Sequence, residues 1–142
     1  MEHMTDEKIR QIRERQHKNK LRSYQRYLIN QQAKREQFFA VNRNLQWVKT
    51  ANRIGSLRNC LRWSSGENKE HILKKLDICM DLKENEHEFL TEAIFKTGKR
   101  CDVLDLTNGT IYEILHTETD EMFEENKVEK YPDEFKLIKV KA

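Results

Sequence analysis

The first 50 positions of the chain are mostly polar, and their apolar residues take on a helical period only in the second half. Thr5 is a suitable helix N-cap, and Asp6 and Glu7 follow it where a helix favours acidic side chains. Neither glycine nor proline occurs from there to about Thr50. The pattern predicts one or two long helices, whose second half packs against other parts of the protein. The stripe that indicates this packing consists of Tyr24, Leu28, Phe38, Val41, Leu45 and Val48.

Shorter elements are predicted after Trp63-Ser64-Ser65-Gly66, a polar joint at which the pattern of the chain changes. Ser64 and Ser65 are candidate caps for the helix that follows. The expected elements are a helix over 65–85, strands over 86–95, 101–106 and 110–117, a helix over 118–130 and a final strand over 135–140. The apolar face of the first of these helices is predicted to comprise Ile72, Leu73, Leu76, Cys79, Met80 and Leu82.

The dipeptide Asn108-Gly109 lies between two of the expected strands. Both residues tolerate the positive φ of a tight two-residue turn whose twist suits a hairpin. Strands 101–106 and 110–117 are therefore predicted to pair antiparallel. Their side chains meet in one site only if the register places them on the same face of the sheet, because a slip of one residue reverses the face.

Charge divides the chain into two parts. Residues 1–63 carry 15 Lys and Arg against 5 Asp and Glu, whereas residues 64–142 carry 12 against 19. The net charge of +3 therefore conceals a basic part and an acidic part. We predict a basic α-helical arm over 1–63 and a compact domain over 64–142. A basic arm suits a polyanion, and the carboxylates of the domain would act on that polyanion or recruit metal ions.

Composition argues against several classes of protein. No apolar run approaches the roughly 20 residues that cross a bilayer, and the N-terminus lacks the apolar segment of a signal peptide. Cys60, Cys79 and Cys101 are odd in number and widely spaced, which matches neither a disulfide framework nor a zinc site. We expect a cytoplasmic protein that has no membrane partner and whose cysteines are reduced packing thiols.

Asp102 and Glu113 carry the most chemical information. Mg²⁺ keeps several waters and accepts one or two carboxylates together with phosphate oxygens, so an Asp and a Glu on paired strands suit it. The ion can activate water and neutralise charge on a phosphate. The alternative is that both residues are solvated on an exposed face, although Asp102 lies between Cys101 and Val103 in an apolar strand.

The predicted order from residue 65 onward is αβββαβ, with Asp102 on the second strand and Glu113 on the third. This arrangement resembles the core of the PD-(D/E)xK nuclease superfamily, which includes restriction endonucleases and Holliday junction resolvases. The resemblance covers residues 65–140 and implies an α+β (α/β), restriction-endonuclease-like fold in which both carboxylates are catalytic and bind metal. Glu70 lies where many members carry a helical Glu, although the helix dipole also explains an acid in a first turn.

The chain departs from the superfamily at its motif lysine. The position two residues after Glu113 is Leu115, whose side chain supplies neither charge nor a proton. If catalysis is retained, another basic residue has to replace that lysine. Lys127 is the catalytic candidate, and Lys130 and Lys99 are the alternatives.

Four further residues have competing interpretations. Glu92 interrupts an apolar strand and is either a third metal ligand or an edge charge that blocks aggregation. His71, His87 and His116 lack the spacing of metal ligands and are interpreted as surface or hydrogen-bonded histidines.

Basic side chains on the arm would contact phosphates and give affinity without sequence specificity. A solvated helix face is the alternative, but the arm has too few acidic residues to pair them all. Tyr24, Tyr27, Trp47 and Trp63 are able to stack on bases, whereas their helical spacing favours packing roles. The candidate nucleic-acid-binding residues are Arg10, Arg13, Arg15, Lys18, Lys20, Arg22, Arg26, Lys34 and Arg35.

Two functions of different class follow. The first is a nuclease, dependent on Mg²⁺ or Mn²⁺, that hydrolyses DNA in preference to RNA. The second is a catalytically inactive nuclease-like protein that binds DNA or assembles, with an arm that coats DNA or pairs with another copy in a homodimer. Asp102 and Glu113 favour the first function, and Leu115 favours the second. A small domain of this kind suits a virus or mobile element, which would place it in the host cytoplasm.

Overall fold

The computed structural model describes residues 3–49, 57–115 and 131–142. The chain is α+β, with a long N-terminal helix, a second helix and a four-stranded mixed sheet. It divides into two compact units, Met1–Gln37 and Phe38–Ala142, and the predicted domain boundary after residue 63 lies inside the second unit. The elements are α1 (Asp6–Leu45), α2 (Lys69–Glu84), β1 (Phe89–Ile94), β2 (Arg100–Asp105), β3 (Thr110–Leu115) and β4 (Lys136–Lys141).

The predicted N-terminal helix is a single 40-residue helix, α1. Thr5 caps it as expected, because its Oγ1 accepts a hydrogen bond from the Lys8 amide at 3.3 Å. The predicted apolar stripe is confirmed at its C-terminal end, where Val41 and Leu45 are buried. It is wrong further back, since Tyr24, Leu28 and Phe38 are exposed. No helix in the described part of the chain is long and apolar enough to cross a membrane.

The sheet has the strand order β1-β2-β3-β4. The first two pairings are antiparallel, as the predicted hairpin requires, whereas β3 and β4 run parallel. A parallel pair needs a crossover connection, and the connecting residues here are 116–135. The helix predicted over 118–130 lies outside the described residues.

The β2–β3 turn differs from the predicted two-residue loop. Leu106 to Gly109 form the turn, and the Gly109 amide donates to the Asp105 carbonyl at 2.9 Å. Gly109 has a φ of 69°, which favours glycine, whereas Asn108 keeps a negative φ. The tight-turn prediction fails because the Asp105 carboxylate organises a longer turn. Its Oδ1 accepts hydrogen bonds from the Thr107 amide at 3.0 Å and the Asn108 amide at 3.2 Å.

Asp105→Ala is expected to lower the free energy of unfolding by about 2–3 kcal/mol, since it leaves several polar groups without their buried acceptor. Asp105 is 1% exposed, and its Oδ2 also lies 2.9 Å from His87 Nδ1. Urea unfolding at neutral pH measures the effect, with the exposed Asp133→Ala as the control. Equal losses in the two variants would contradict this role for the Asp105 side chain.

The described residues of the second compact unit form two hydrophobic cores. The first joins Val41, Leu45 and Val48 to sheet residues, among them Leu104 and Ile111. The second joins α2 to the sheet and includes Ile78, Leu82, Phe89, Val103 and Ile114.

Two of the cysteines lie in these cores, Cys101 in the first and Cys79 in the second. Burial raises the pKa of the Cys79 thiol to about 11. Burial, together with the nearby charges of Glu113 and Asp102, also raises the pKa of Cys101 well above its ordinary value. Both groups are therefore protonated packing thiols at neutral pH.

The buried face of α2 differs from the predicted one. Cys79 and Leu82 are buried as expected, but Leu73, Leu76 and Met80 are exposed. The buried face instead continues through His71 and Lys75, whose polar ends meet acidic partners in the protein interior. The helix also begins later than predicted, because its N-cap is Asn68 and not Ser64 or Ser65. The Asn68 side chain accepts a hydrogen bond from the His71 amide at 2.9 Å.

Candidate active site

The alternation of side chains along β1 and β2 is interrupted at Glu92 and Asp102. In a regular strand, residues three positions apart point to opposite faces of the sheet. Leu90 and Ala93 nevertheless belong to the same core, and so do Cys101 and Leu104. Glu92 has a φ of 54° in the middle of β1, a conformation that is rare for a residue with a side chain. Irregular backbone of this kind re-aims side chains, and here it directs two acidic residues into one cleft.

The Asp102 side chain replaces a backbone acceptor in the hydrogen-bond ladder between β2 and β3. The ladder of paired residues ends at Val103 and Tyr112. Beyond that pair, Asp102 Oδ2 accepts a hydrogen bond from the Ile114 amide at 2.8 Å. Continued by one residue, the register places Asp102 across from Glu113, and both residues line the same cleft.

His71 of helix α2 and Glu67, which precedes the N-cap Asn68, supply the other wall. His71 lies in the first turn of α2, and its Nε2 is 3.1 Å from Asp102 Oδ1. The same nitrogen is 3.8 Å from Glu67 Oε1. Lys75, one turn further along the helix, has no solvent-exposed surface and donates to Glu67 Oε1 at 2.7 Å and to Glu92 Oε1 at 2.6 Å.

The two carboxylates that share Lys75 have pKa shifts in opposite directions. Burial opposes ionisation of Glu67, but hydrogen bonds with Glu92 and Lys75 hold its pKa below the ordinary value. Burial and the hydrogen bond with Glu67 raise the pKa of Glu92 in spite of Lys75. Burial disfavours the charge of Lys75, yet both carboxylates together raise its pKa, so the ammonium group remains charged.

The remaining wall contains Glu113 and the start of β2. Glu113 is 4% exposed and accepts a hydrogen bond from the Tyr131 hydroxyl. Burial and the Glu113 charge raise the pKa of Tyr131 far above its ordinary value, so the hydroxyl remains a donor. Arg100 lies at the mouth of the cleft with its guanidinium 3.6 Å from Glu92 Oε2. The cleft has a volume of about 540 Å³ and is open to solvent.

One group of side chains in this cleft has the composition of a metal site. Glu67, His71 and Asp102 each offer a donor atom, and these atoms all lie within 4.8 Å of one another. Within the described residues, Asp102 forms hydrogen bonds with the Ile114 amide and the His71 ring, neither of which is a permanent cation. A divalent ion would compensate the carboxylate charge, and the mixed nitrogen and oxygen donors fit such an ion.

The structure brings three of the predicted site residues, Asp102, Glu113 and Glu92, into this cleft. Asp102 belongs to the compact donor group, whereas Glu113 bonds Tyr131 and Glu92 bonds Lys75. Glu70 is exposed on α2 and is not among the residues that line the cleft.

The basic candidates for the missing motif lysine fall in different places. Lys99 lines the cleft, as does its neighbour Arg100. Lys127 and Lys130 lie outside the described residues, and so does His116. Leu115 is partly buried on β3, where its register partner in β4 is Lys141.

Glu67 and Lys75 are not among the residues predicted from the sequence, which favours a surface or merely hydrogen-bonded role for His71. These three residues are spaced four apart, and the same helical row continues to Cys79, which is buried. A row of polar residues that runs into the buried face of a helix was the available signal. His87, the other described histidine of the domain, bonds Asp105 and is not part of the cleft.

All nine predicted nucleic-acid-binding residues are exposed on α1. Among the described residues of this helix, Arg10 and Glu7 form the one ion pair, at 2.8 Å. The aromatic residues Tyr24, Tyr27, Trp47 and Trp63 are exposed too, so the core role favoured for them is wrong, and packing against another helix stays a prediction. The Tyr24 and Tyr27 rings stack on each other with centroids 6.5 Å apart.

Comparisons of the chain with protein-family models, with curated proteins and with solved structures give no significant match.

Proposed function

We propose that this protein is a metal-dependent nuclease that hydrolyses phosphodiester bonds of DNA, with a domain of the restriction-endonuclease type. The observation that carries the proposal is the convergence of Asp102, Glu113, Glu67 and His71 in one open cleft beside the buried Lys75. Acidic and imidazole donors next to a solvent-accessible space suit a phosphate ester bound through a divalent cation.

In the proposed reaction, a water oxygen bonds to phosphorus, the bond from phosphorus to the leaving oxygen breaks, and that oxygen departs with a proton. A divalent ion, when bound, neutralises phosphate charge and makes water a better nucleophile. Asp102, Glu67 and His71 would hold the ion. Lys99 and Arg100, at the cleft, would bind the phosphates that flank the cut.

Lys75 is proposed as a positioning residue that places a positive charge inside the site, which Leu115 cannot do. Its ammonium group donates to Glu67, Glu92 and the Arg62 carbonyl, the last at 3.1 Å. Because these bonds fix it in the interior, Lys75 acts on the carboxylates and does not itself reach the substrate. The bond from Lys75 also holds the Glu92 carboxylate in a position where its other oxygen can orient the Arg100 guanidinium.

The arm is proposed to hold DNA through its phosphates. Arg15, Lys18, Arg22 and Arg26 follow one another at intervals of three or four residues, so they share a face of α1. At 1.5 Å per residue this face extends over roughly 16 Å of helix. All four are exposed, and the ion pair on the described part of α1, between Arg10 and Glu7, involves none of them.

Replacement of these four basic residues by glutamine is expected to reduce the slope of log K against log salt by about 3 to 4, because each lost phosphate contact removes about 0.9 for duplex DNA. Fluorescence anisotropy with a labelled duplex between 50 and 200 mM salt would measure the slope. A charge-conserving control, Arg15→Lys with Arg22→Lys and Arg26→Lys, should retain it. An unchanged slope in the glutamine variant would exclude this face as the phosphate contact.

A second candidate function, a DNA-binding protein without hydrolysis, is favoured by Leu115 at the position of the motif lysine. The arm would then carry the function, and the cleft would be a remnant.

The test is incubation of the purified protein with linear and circular DNA in Mg²⁺, in Mn²⁺ and in EDTA. Cleavage that requires a divalent ion and stops with EDTA supports the nuclease. Salt-sensitive DNA binding without cleavage under any metal would overturn it in favour of the binder. A parallel incubation with RNA would identify RNA as the substrate if RNA alone were cut.

A further inference from the structure

We infer that His71 makes the metal centre selective for a first-row transition-metal ion over Mg²⁺. The inference rests on the proposed function, because it concerns the ion that the nuclease would use. It is carried by the position of an imidazole nitrogen among carboxylate oxygens within a single group of donors, Glu67, His71 and Asp102.

The location of His71 is fixed by the fold. The residue is 7% exposed, and its backbone amide is held by the Asn68 side chain at the start of α2. Its Nε2 lies 3.1 Å from Asp102 Oδ1 and 3.8 Å from Glu67 Oε1. Neighbouring ligands of an octahedral ion with bonds of about 2.1 Å are about 3 Å apart, so the first distance already suits two ligands of one ion.

The donor atoms decide which ions are favoured. Mg²⁺ takes oxygen ligands and dehydrates reluctantly, so an imidazole contributes little to its binding. Transition-metal ions accept imidazole, and their affinity for a site of nitrogen and oxygen donors rises from Mn²⁺ to Co²⁺ and beyond. An all-carboxylate site, as predicted from Asp102, Glu113 and Glu92, would not discriminate in this way.

The other donors of the cleft do not remove this selectivity. Among the described residues, neither Glu92 nor Glu113 belongs to the group of donor atoms that lie within 4.8 Å of one another. Asp102 and Glu67 face the His71 ring, so an ion that binds these two carboxylates meets the nitrogen as well.

The test is isothermal titration of tag-free, metal-free full-length protein with CoCl₂, MnCl₂ and MgCl₂ in the absence of DNA. Wild-type protein is expected to bind Co²⁺ most tightly, then Mn²⁺, and Mg²⁺ most weakly. Loss of an outer-shell partner already costs about 10–100-fold in metal affinity, so His71→Gln should weaken Co²⁺ binding at least that much. Mg²⁺ affinity should change little. His71→Glu, which supplies oxygen near the same place, should shift the preference towards Mg²⁺.

His87→Gln is the matched control, because this histidine bonds Asp105 outside the cleft and its loss should leave all metal affinities unchanged. Equal Co²⁺ and Mg²⁺ affinities in the wild type, or Co²⁺ binding by His71→Gln at the wild-type level, would overturn the inference. Selective, His71-dependent metal binding without DNA cleavage would overturn the nuclease and leave the inference standing. Cleavage supported equally by Mg²⁺ in the wild type and in His71→Gln would support the nuclease and overturn the inference about His71.

Discussion

Asp102→Asn should reduce metal-dependent DNA cleavage by about 10²–10³-fold, the usual loss when one preorganised charge-stabilising group is removed from an active site. The expectation follows from the position of Asp102, whose Oδ1 faces His71 within the donor group while Oδ2 accepts the Ile114 amide. The asparagine retains an oxygen for that amide but loses the negative charge. Single-turnover cleavage of a labelled duplex in saturating Mn²⁺ would measure the effect.

The control must separate the loss of a site carboxylate from the loss of negative charge alone. Asp77→Asn makes the same chemical change at an exposed position of α2 and should cleave at the wild-type rate. DNA binding in EDTA and the unfolding midpoint of Asp102→Asn should also match the wild type, because the backbone contact survives. Cleavage by Asp102→Asn within a fewfold of wild type would remove Asp102 from the catalytic machinery.

The carboxylates that the strands bring to the cleft were accessible to sequence reasoning because local patterns mark them. Asp102 and Glu92 each interrupt an apolar strand, and the strand signals around them are strong. The partners on α2 were not accessible in the same way. His71 meets a residue 31 positions away and Lys75 meets one 17 positions away, so their roles depend on how α2 packs on the sheet.

The same dependence explains why the wrong face of α2 was predicted. Apolar spacing alone selects Leu73, Leu76 and Met80, which are exposed. The observed face buries Lys75 because two carboxylates compensate its charge, and a hydrophobic pattern carries no information about such compensation. At the hairpin, likewise, the local Asn108-Gly109 signal was overridden by the buried Asp105, whose hydrogen bonds extend the turn.

Lys75→Met should lower the free energy of unfolding at pH 7 by about 3–5 kcal/mol, because it removes one partner of a buried ionic cluster and leaves the other charges uncompensated. Methionine has nearly the length of lysine, so little packing is lost. The ammonium group contacts Glu67 and Glu92 and has no exposure to solvent. Urea unfolding would measure the effect, and Lys69→Met, at an exposed position of the same helix, should remain within about 0.5 kcal/mol of wild type.

The pH dependence of this loss has a definite sign. In the wild type, Lys75 opposes the rise that burial imposes on the pKa of Glu67 and Glu92. Without Lys75, both folded-state pKa values should rise above 4.5, the ordinary value, so that protonation favours the folded state. The stability deficit of Lys75→Met should therefore shrink as the pH falls from 7 towards 4.5. Adding Glu67→Gln and Glu92→Gln should recover part of the stability at pH 7, since no uncompensated charge remains in that cluster. A deficit that stays constant on acidification would mean that Lys75 stabilises the fold through its packing and not through its charge.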